Sequence, residues 1–124
     1  MFEQDYIMRM IKDMIRALLK MLFDIDTDSP SFDMVGDAEV QSRLLRLSHM
    51  VDDGDIINAQ NEICKITSDD DMQNLKTALF FYAYLNEKDD DFLTANGYSR
   101  DEIETGIREL AEKYQVTYIS NLFE

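Results

Sequence analysis

The first 23 residues constrain the fold most, because they place many apolar side chains on a segment whose basic residues have helical spacing. At about 100° per residue, Arg9, Lys12, Asp13, Arg16 and Lys20 share one polar arc of roughly 100°. Apolar side chains fill roughly 220° or more of the circumference, whereas docking on a single core requires a stripe of only about 100°. We therefore predict a helix over residues 2–23 whose excess apolar surface is covered by the rest of the domain, by a partner helix or by a bilayer. The apolar residues of this arc are Tyr6, Ile7, Met8, Met10, Ile11, Met14, Ile15, Ala17, Leu18, Leu19, Met21 and Leu22.

The remainder of the chain predicts further helices and no sheet. The whole chain of 124 residues has the length of one domain, and its four Gly and one Pro are too few for the many turns of a β-sandwich or barrel. The sequence therefore predicts a single all-α domain, a small helical bundle of about six helices. Residues 1–23 form the amphipathic N-terminal helix, 24–37 a polar linker broken by Pro30, and 38–124 the helical body. The predicted body helices span about 38–51, 56–67, 70–87, 90–96 and 99–122.

The segment "LFFYAYL" (79–85) is apolar nearly all round and predicts the central buried helix. We expect Phe80, Phe81, Tyr82 and Tyr84 to lie mostly inside. Ser68 with Asp71 has the spacing of a variant capping box that opens this helix, and "SRDE" (99–102) has the spacing of a full capping box that opens the last helix. The residues Val116–Ile119 favour strands, so the sequence does not decide where the last helix ends.

The stretch "GDIINAQNEI" (54–63) resembles the turn between the two helices of a tetratricopeptide repeat. Gly54 ends one helix, small Ala59 allows close approach, and Ile56 and Ile63 lie on one face. Arg43 and Arg46 depart from that pattern, and a solenoid needs at least three repeats. An ordinary antiparallel hairpin is therefore the alternative to a hairpin like that of a tetratricopeptide repeat.

The chain as a whole resembles an uncharacterised family of small acidic bacterial proteins. The resemblance rests on "QDYIMRMI", on "LLRLSHMVDDGDIINAQNEI" and on the closing "GYSRDEIETGI". It implies an all-helical fold and no activity.

No motif in the sequence predicts an enzyme, a cofactor or a metal. Asp24, Asp26 and Asp28 alternate as in an EF-hand loop, but its sixth and twelfth positions hold Ser29 and Val35 instead of Gly and Glu. The runs 69–71 and 89–91 are explained by the preference of carboxylates for helix N-termini.

The only cysteine, Cys64, and the only histidine, His49, fall on neighbouring predicted helices. A nucleophilic pair would need the two side chains adjacent in space. We expect instead a buried thiol and an exposed imidazole, because His49 lies off the apolar stripe of its helix. The sequence thus predicts no catalytic residue.

The net charge of −14 is unevenly distributed, since residues 1–23 carry +1 and the other 101 residues carry −15. An acidic field repels nucleic acid and anionic membranes and attracts cationic partners. The single cysteine and the acidic extreme N-terminus favour a cytoplasmic protein without a signal peptide. One alternative function is therefore an acidic mimic or sequestering protein for a basic partner, and another is a peripheral membrane protein anchored by the first helix.

The function that we expect first is a non-enzymatic protein–protein interaction module that forms a homodimer. The wide apolar arc of the first helix supplies the expected interface, since a symmetric dimer pairs the same face of both copies. The predicted seam consists of Ile7, Ile11, Met14, Leu18 and Leu22.

Overall fold

The computed structural model describes residues 2–69 and 71–114, and in these ranges the chain is a bundle of six α-helices without a strand. The helices are α1 (Phe2–Phe23), α2 (Ala38–Asp52), α3 (Ile56–Ile66), α4 (Met72–Asn86), α5 (Asp90–Ala95) and α6 (Arg100–Lys113). A short 3₁₀ turn, Phe32–Met34, lies in the linker between α1 and α2. The predicted all-α fold is confirmed. The part of the last helix predicted beyond residue 114 lies outside the described residues. None of the described helices is long and apolar enough to cross a membrane.

Helix α4 is the centre of the bundle and packs against α1, α2 and α6. Phe80, Phe81 and Tyr82 are buried, as the apolar run predicts. Tyr84 is only partly buried, because its hydroxyl reaches Asp52 at the end of α2. A helix with neighbours on three sides exposes few positions to solvent, so few of its side chains need to be polar. This explains its nearly continuous apolar sequence.

Helix α1 packs against both α4 and α6, and this double contact accounts for its wide apolar arc. Ile11, Met14 and Leu18 are 0–1% exposed within their own chain. Ile7 and Leu22, the other two residues of the predicted seam, are partly buried against the same core. The five residues therefore belong to the core of one chain, and in this fold the three central ones offer no surface to a second copy. The basic side chains Arg9, Arg16 and Lys20 lie on the exposed side.

Side-chain caps fix the starts of α2, α4, α5 and α6. Asp37 accepts hydrogen bonds from the backbone N–H groups of Glu39 and Val40, and Asp71 accepts one from that of Gln73. The expected cap at Ser68 is wrong, because the Ser68 hydroxyl donates back to the carbonyl of Lys65 and α4 begins only after Asp71. The capping box of Ser99 and Glu102 at α6 is confirmed.

Helices α2 and α3 form an antiparallel hairpin whose turn depends on glycine. Gly54 has φ +88°, a conformation that side chains other than glycine rarely adopt. An added Cβ at Gly54 would also come within 3.1 Å of the Asn96 side-chain Cγ, so the turn packs directly on the end of α5. Across the hairpin, Arg46 holds Glu62 with two guanidinium nitrogens, one of them 3.0 Å from the carboxylate. The arginine that departs from the apolar pattern thus ties the two helices together.

Replacing Ile11 with Asp tests whether α1 belongs to the core of its own subunit. We expect the free energy of unfolding to fall by about 4 kcal/mol or more, because the substitution removes a fully buried side chain and buries a charge without a partner. Urea unfolding followed by circular dichroism measures the change.

The matched control is Tyr6→Asp on the exposed side of the same helix, where the side chain is 69% exposed. We expect this variant to stay within about 0.5 kcal/mol of the wild type. A well-folded Ile11→Asp monomer formed from a wild-type dimer would contradict the core assignment and restore the predicted seam.

Candidate functional site

One end of the bundle gathers three connections of the chain. The turn after α2 meets the end of α4, where Asp52 accepts hydrogen bonds from the Tyr84 hydroxyl and the Lys88 ammonium, both at 2.6 Å. The Lys88 ammonium also lies 5.0 Å from the centre of the Tyr84 ring and 5.3 Å from that of the Phe92 ring, distances typical of cation–π contacts. These contacts hold the α2–α3 turn against the α4–α5 connection.

Arg100 joins the start of α6 to the same end. Its guanidinium is buried and donates to the Asn86 and Lys88 backbone carbonyls at 2.7 and 2.8 Å. It also binds the Asp90 carboxylate at 2.7 Å and the Asn86 side-chain oxygen at 2.9 Å. The Asn86 amide in turn donates to the Met8 carbonyl of α1. One buried cation therefore connects α4, α5 and α6 and, through Asn86, α1.

The acidic end, which we define as residues 52–55, 87–91 and 99–102, carries nine acidic and two basic side chains and thus a net charge of −7, half that of the whole chain. Both basic residues are engaged internally, Lys88 with Asp52 and Arg100 with Asp90. Within the described parts of the chain, no ion pair engages the exposed Asp53, Glu87, Asp91 and Asp101. The acidic residues are Asp52, Asp53, Asp55, Glu87, Asp89, Asp90, Asp91, Asp101 and Glu102.

The contacts at Asp52 change its acidity. Hydrogen bonds from Lys88 and Tyr84 stabilise the ionised carboxylate and hold the pKa of Asp52 below its ordinary value. The same contact with Asp52 raises the pKa of Lys88. The folded state therefore favours the charged form of both partners.

A lowered pKa at Asp52 predicts a pH-dependent contribution to stability. The contribution is complete above the ordinary value of about 3.9 and is lost as the pH falls through the lower pKa of the folded state. We expect Asp52→Asn to lower the free energy of unfolding by up to about 1 kcal/mol at pH 7, since the carboxylate is 43% exposed and screened, and we expect this difference to shrink as the pH falls below about 3.9. Unfolding in urea across this range provides the measurement.

Asp53→Asn is the control, because Asp53 is exposed next to Asp52 and has no ion pair among the described residues. We expect its stability curve to run parallel to that of the wild type. Parallel curves for Asp52→Asn as well would show that the Asp52–Lys88 contact does not stabilise the fold.

A second candidate site is a cleft of about 90 Å³ on the side of the bundle, between α3, α4 and α6. Tyr82 enters it from α4 and crosses α6 at Gly106. An added Cβ at Gly106 would lie 2.7 Å from the Tyr82 ring carbon that bears the hydroxyl, and closer still to the oxygen. Only glycine leaves room for the phenol at this crossing. The cleft is lined by Gln60, Ile63, Cys64, Thr67, Tyr82, Gly106, Glu109, Leu110 and Lys113.

Gly106→Ala tests this crossing. Alanine normally stabilises a helix interior by about 1 kcal/mol relative to glycine, but here we expect the free energy of unfolding to fall by about 1–3 kcal/mol because the buried Tyr82 ring has to shift. Thr105→Ala, at the exposed neighbouring position, is the control and should show no such loss. Urea denaturation distinguishes the two, and an unchanged or stabilised Gly106→Ala variant would disprove the close contact.

The side chains that the sequence analysis weighed as catalytic or metal-binding candidates lie in different environments. His49 is exposed, as expected, but the expectation of a buried Cys64 is wrong: the thiol is exposed, because it lies on the rim of the cleft instead of the core stripe of α3. Asp26 of the linker approaches Arg16 and Lys20 of α1, at 3.4 and 3.6 Å. Among the described residues, no group of His, Cys, Asp and Glu side chains has an arrangement suited to a metal ion.

Sequence reasoning missed the cleft, because its lining comes from three helices whose relative positions no local pattern specifies. The single available signal was Gly106, a glycine inside an otherwise strong helical pattern.

A family model described as "Family of unknown function (DUF6483)" matches residues 1–115. No curated protein and no solved structure matches the sequence. The match agrees with the resemblance to an uncharacterised family and assigns no activity.

Proposed function

We propose that this chain, which belongs to the DUF6483 family of unknown function, is a non-enzymatic protein–protein interaction module whose acidic end binds a positively charged partner. The observation that carries the proposal is the pairing of both cations of the acidic end inside the chain, which leaves exposed carboxylates around them. Such a surface attracts a basic partner and raises the rate of encounter.

The rigidity of the acidic end supports this role. Arg100 and Lys88 attach its three segments to the helix ends, so that the carboxylates keep their positions before a partner arrives. A preformed surface loses less conformational entropy on binding than a flexible acidic tail. The α2–α3 hairpin, which resembles one tetratricopeptide repeat, contributes Asp52, Asp53 and Asp55 through its turn. We propose that the interaction takes place in the cytoplasm, because a chain with one cysteine forms no internal disulfide and suits a reducing compartment.

Self-association is the second candidate, and the basic arc of α1 favours it. The arc is exposed and has the charge that the acidic end requires, although Arg16 and Lys20 share Asp26 within the chain. A contact between these two surfaces forms a symmetric pair where both contacts are made reciprocally around one twofold axis, and rings or chains of subunits where they are not. A membrane anchor is a weaker candidate, because the apolar face of α1 packs on α4 and α6.

The deciding experiment compares two triple variants with equal charge. One replaces Asp53, Asp91 and Asp101 of the acidic end with Lys, and the control replaces the exposed Asp28, Glu39 and Glu112 elsewhere with Lys. Immobilised wild type and both variants, each checked for helical circular dichroism, capture proteins from a lysate for identification by mass spectrometry. We expect the wild type and the control to retain the same partner and the acidic-end variant to lose it.

Salt provides the second measurement. Because charge attraction is screened over about 8 Å at physiological ionic strength, we expect the partner to be released as NaCl rises from about 0.1 to about 0.5 M. Equal capture by both variants, or retention at about 1 M salt, would contradict recognition by the acidic end. Sedimentation of the chain alone through the same salt series identifies a second copy as the partner when assemblies dissociate at high salt.

A further inference from the structure

We propose that Asp52, Tyr84 and Phe92 form a cage for an ammonium group, and that a lysine side chain of the basic partner enters this cage in place of Lys88. This assignment rests on the proposed function of the acidic end and names the position at which the partner is anchored. In the structure, the chain's own Lys88 fills the cage.

The cage surrounds the Lys88 ammonium with one carboxylate and two aromatic rings, contributed by α2, α4 and α5. Asp52 accepts a hydrogen bond from the ammonium at 2.6 Å, and the centres of the Tyr84 and Phe92 rings lie 5.0 and 5.3 Å from it. Ring faces attract cations within roughly 6 Å, and aromatic cages recognise ammonium groups in this way. The hydrogen bond to Asp52 requires an N–H donor, so the cage suits a lysine ammonium better than a quaternary one.

The walls of the cage are held in position by contacts that do not involve Lys88. The Tyr84 hydroxyl donates to Asp52 at 2.6 Å, and the Phe32 ring packs against the Tyr84 ring with their centres 5.6 Å apart. Phe92 is partly buried against the core of the bundle. The cage therefore keeps its shape when its cation is exchanged, and a preformed site loses little conformational entropy on binding.

The Lys88 side chain can leave the cage without disturbing the backbone. Arg100 holds the Lys88 carbonyl at 2.8 Å, so the connection between α4 and α5 stays fixed. The side chains of Lys88 and Asp52 are 26% and 43% exposed, which opens the cage to solvent. A released Lys88 ammonium has the exposed carboxylates of its sequence neighbours Glu87 and Asp89 to pair with. The exchange thus replaces one cation with another and leaves the Asp52 carboxylate paired.

Lys88 also determines which cations can enter. Because it is tethered beside the cage, it competes with an incoming cation at an effective concentration in the millimolar range. A free amine has only the cage to bind, whereas a lysine on a basic surface is accompanied by charges that the exposed Asp53 and Asp91 attract. The cage therefore favours a lysine of a basic partner over a free amine.

The experiment titrates trilysine, which has the chemistry of the partner, and n-butylammonium, a free amine, into the wild type and Lys88→Ala. The full chain carries ¹³C-labelled tyrosine rings, and Tyr84→Phe assigns the signal that reports on the cage. We expect Lys88→Ala to bind trilysine about tenfold more tightly than the wild type, because removing the internal competitor raises the fraction of chains with an open cage. Both chains should bind trilysine more tightly than n-butylammonium.

The matched control is Lys88→Ala/Phe92→Leu, which has the net charge of Lys88→Ala but lacks one ring of the cage. We expect it to bind trilysine about two- to fivefold more weakly than Lys88→Ala, the range of an exposed cation–π contact. The neutral n-butanol should leave the Tyr84 signal of Lys88→Ala unchanged, a comparison that needs no second substitution. Circular dichroism checks that each variant is folded.

The outcomes separate the cage from the acidic end as a whole. Equal trilysine affinity of the wild type and Lys88→Ala, equal affinity of Lys88→Ala and the double variant, or a Tyr84 shift with n-butanol would each overturn the cage and leave the acidic end as the binding surface. Absence of trilysine binding to all three chains would overturn the cage and count against the acidic end as well. Tighter binding of n-butylammonium than of trilysine would overturn the assignment to a partner's lysine and identify a free amine as the occupant.

Discussion

The buried guanidinium of Arg100 is the interaction on which the arrangement of this bundle depends. A charge in the core is tolerated only when its donors are all engaged, and Arg100 meets this condition with two backbone carbonyls, the Asn86 side chain and the Asp90 carboxylate. The carbonyls of Asn86 and Lys88 lie at and just beyond the end of α4, where a helix leaves such groups without partners. Arg100 supplies those partners and fixes the start of α6 there, while Asn86 extends the network to α1.

That junction explains why the first helix is so apolar. With α4 and α6 held together at one end, α1 packs against both, and each partner covers a different part of its circumference. One docking surface requires one apolar stripe, so a helix with two neighbours is expected to have an apolar arc about twice as wide. The exposed remainder of α1 is basic, whereas the turns at the Arg100 end are acidic, so the packing itself separates the charges of the chain.

The two candidate surfaces follow from different parts of this architecture. The acidic end consists of turns and the helix ends beside them, and its cations stabilise the fold while most of its carboxylates face solvent. The cleft lies on the sides of three helices, where Gly106 of α6 leaves room for the phenol of Tyr82. The first surface is suited to a large charged partner, whereas the second is a cleft of about 90 Å³. Because they share no lining residue, one surface can be altered while the other stays intact.

The sequence by itself determined the helices, because periodicity, capping residues and helix breakers act within a few positions. Local rules of this kind predict α1 from Phe2 to Phe23, the capping box of Ser99 and Glu102, and the turn at Gly54. It also determined that α4 is central. Only the tertiary structure decided which surface covers α1, since an apolar arc is equally suited to a core, a partner or a bilayer. It likewise decided that Arg100 is buried, that Arg46 holds Glu62, and that Cys64 lies on a cleft rim. These outcomes depend on contacts between residues far apart in the chain, which no local pattern specifies.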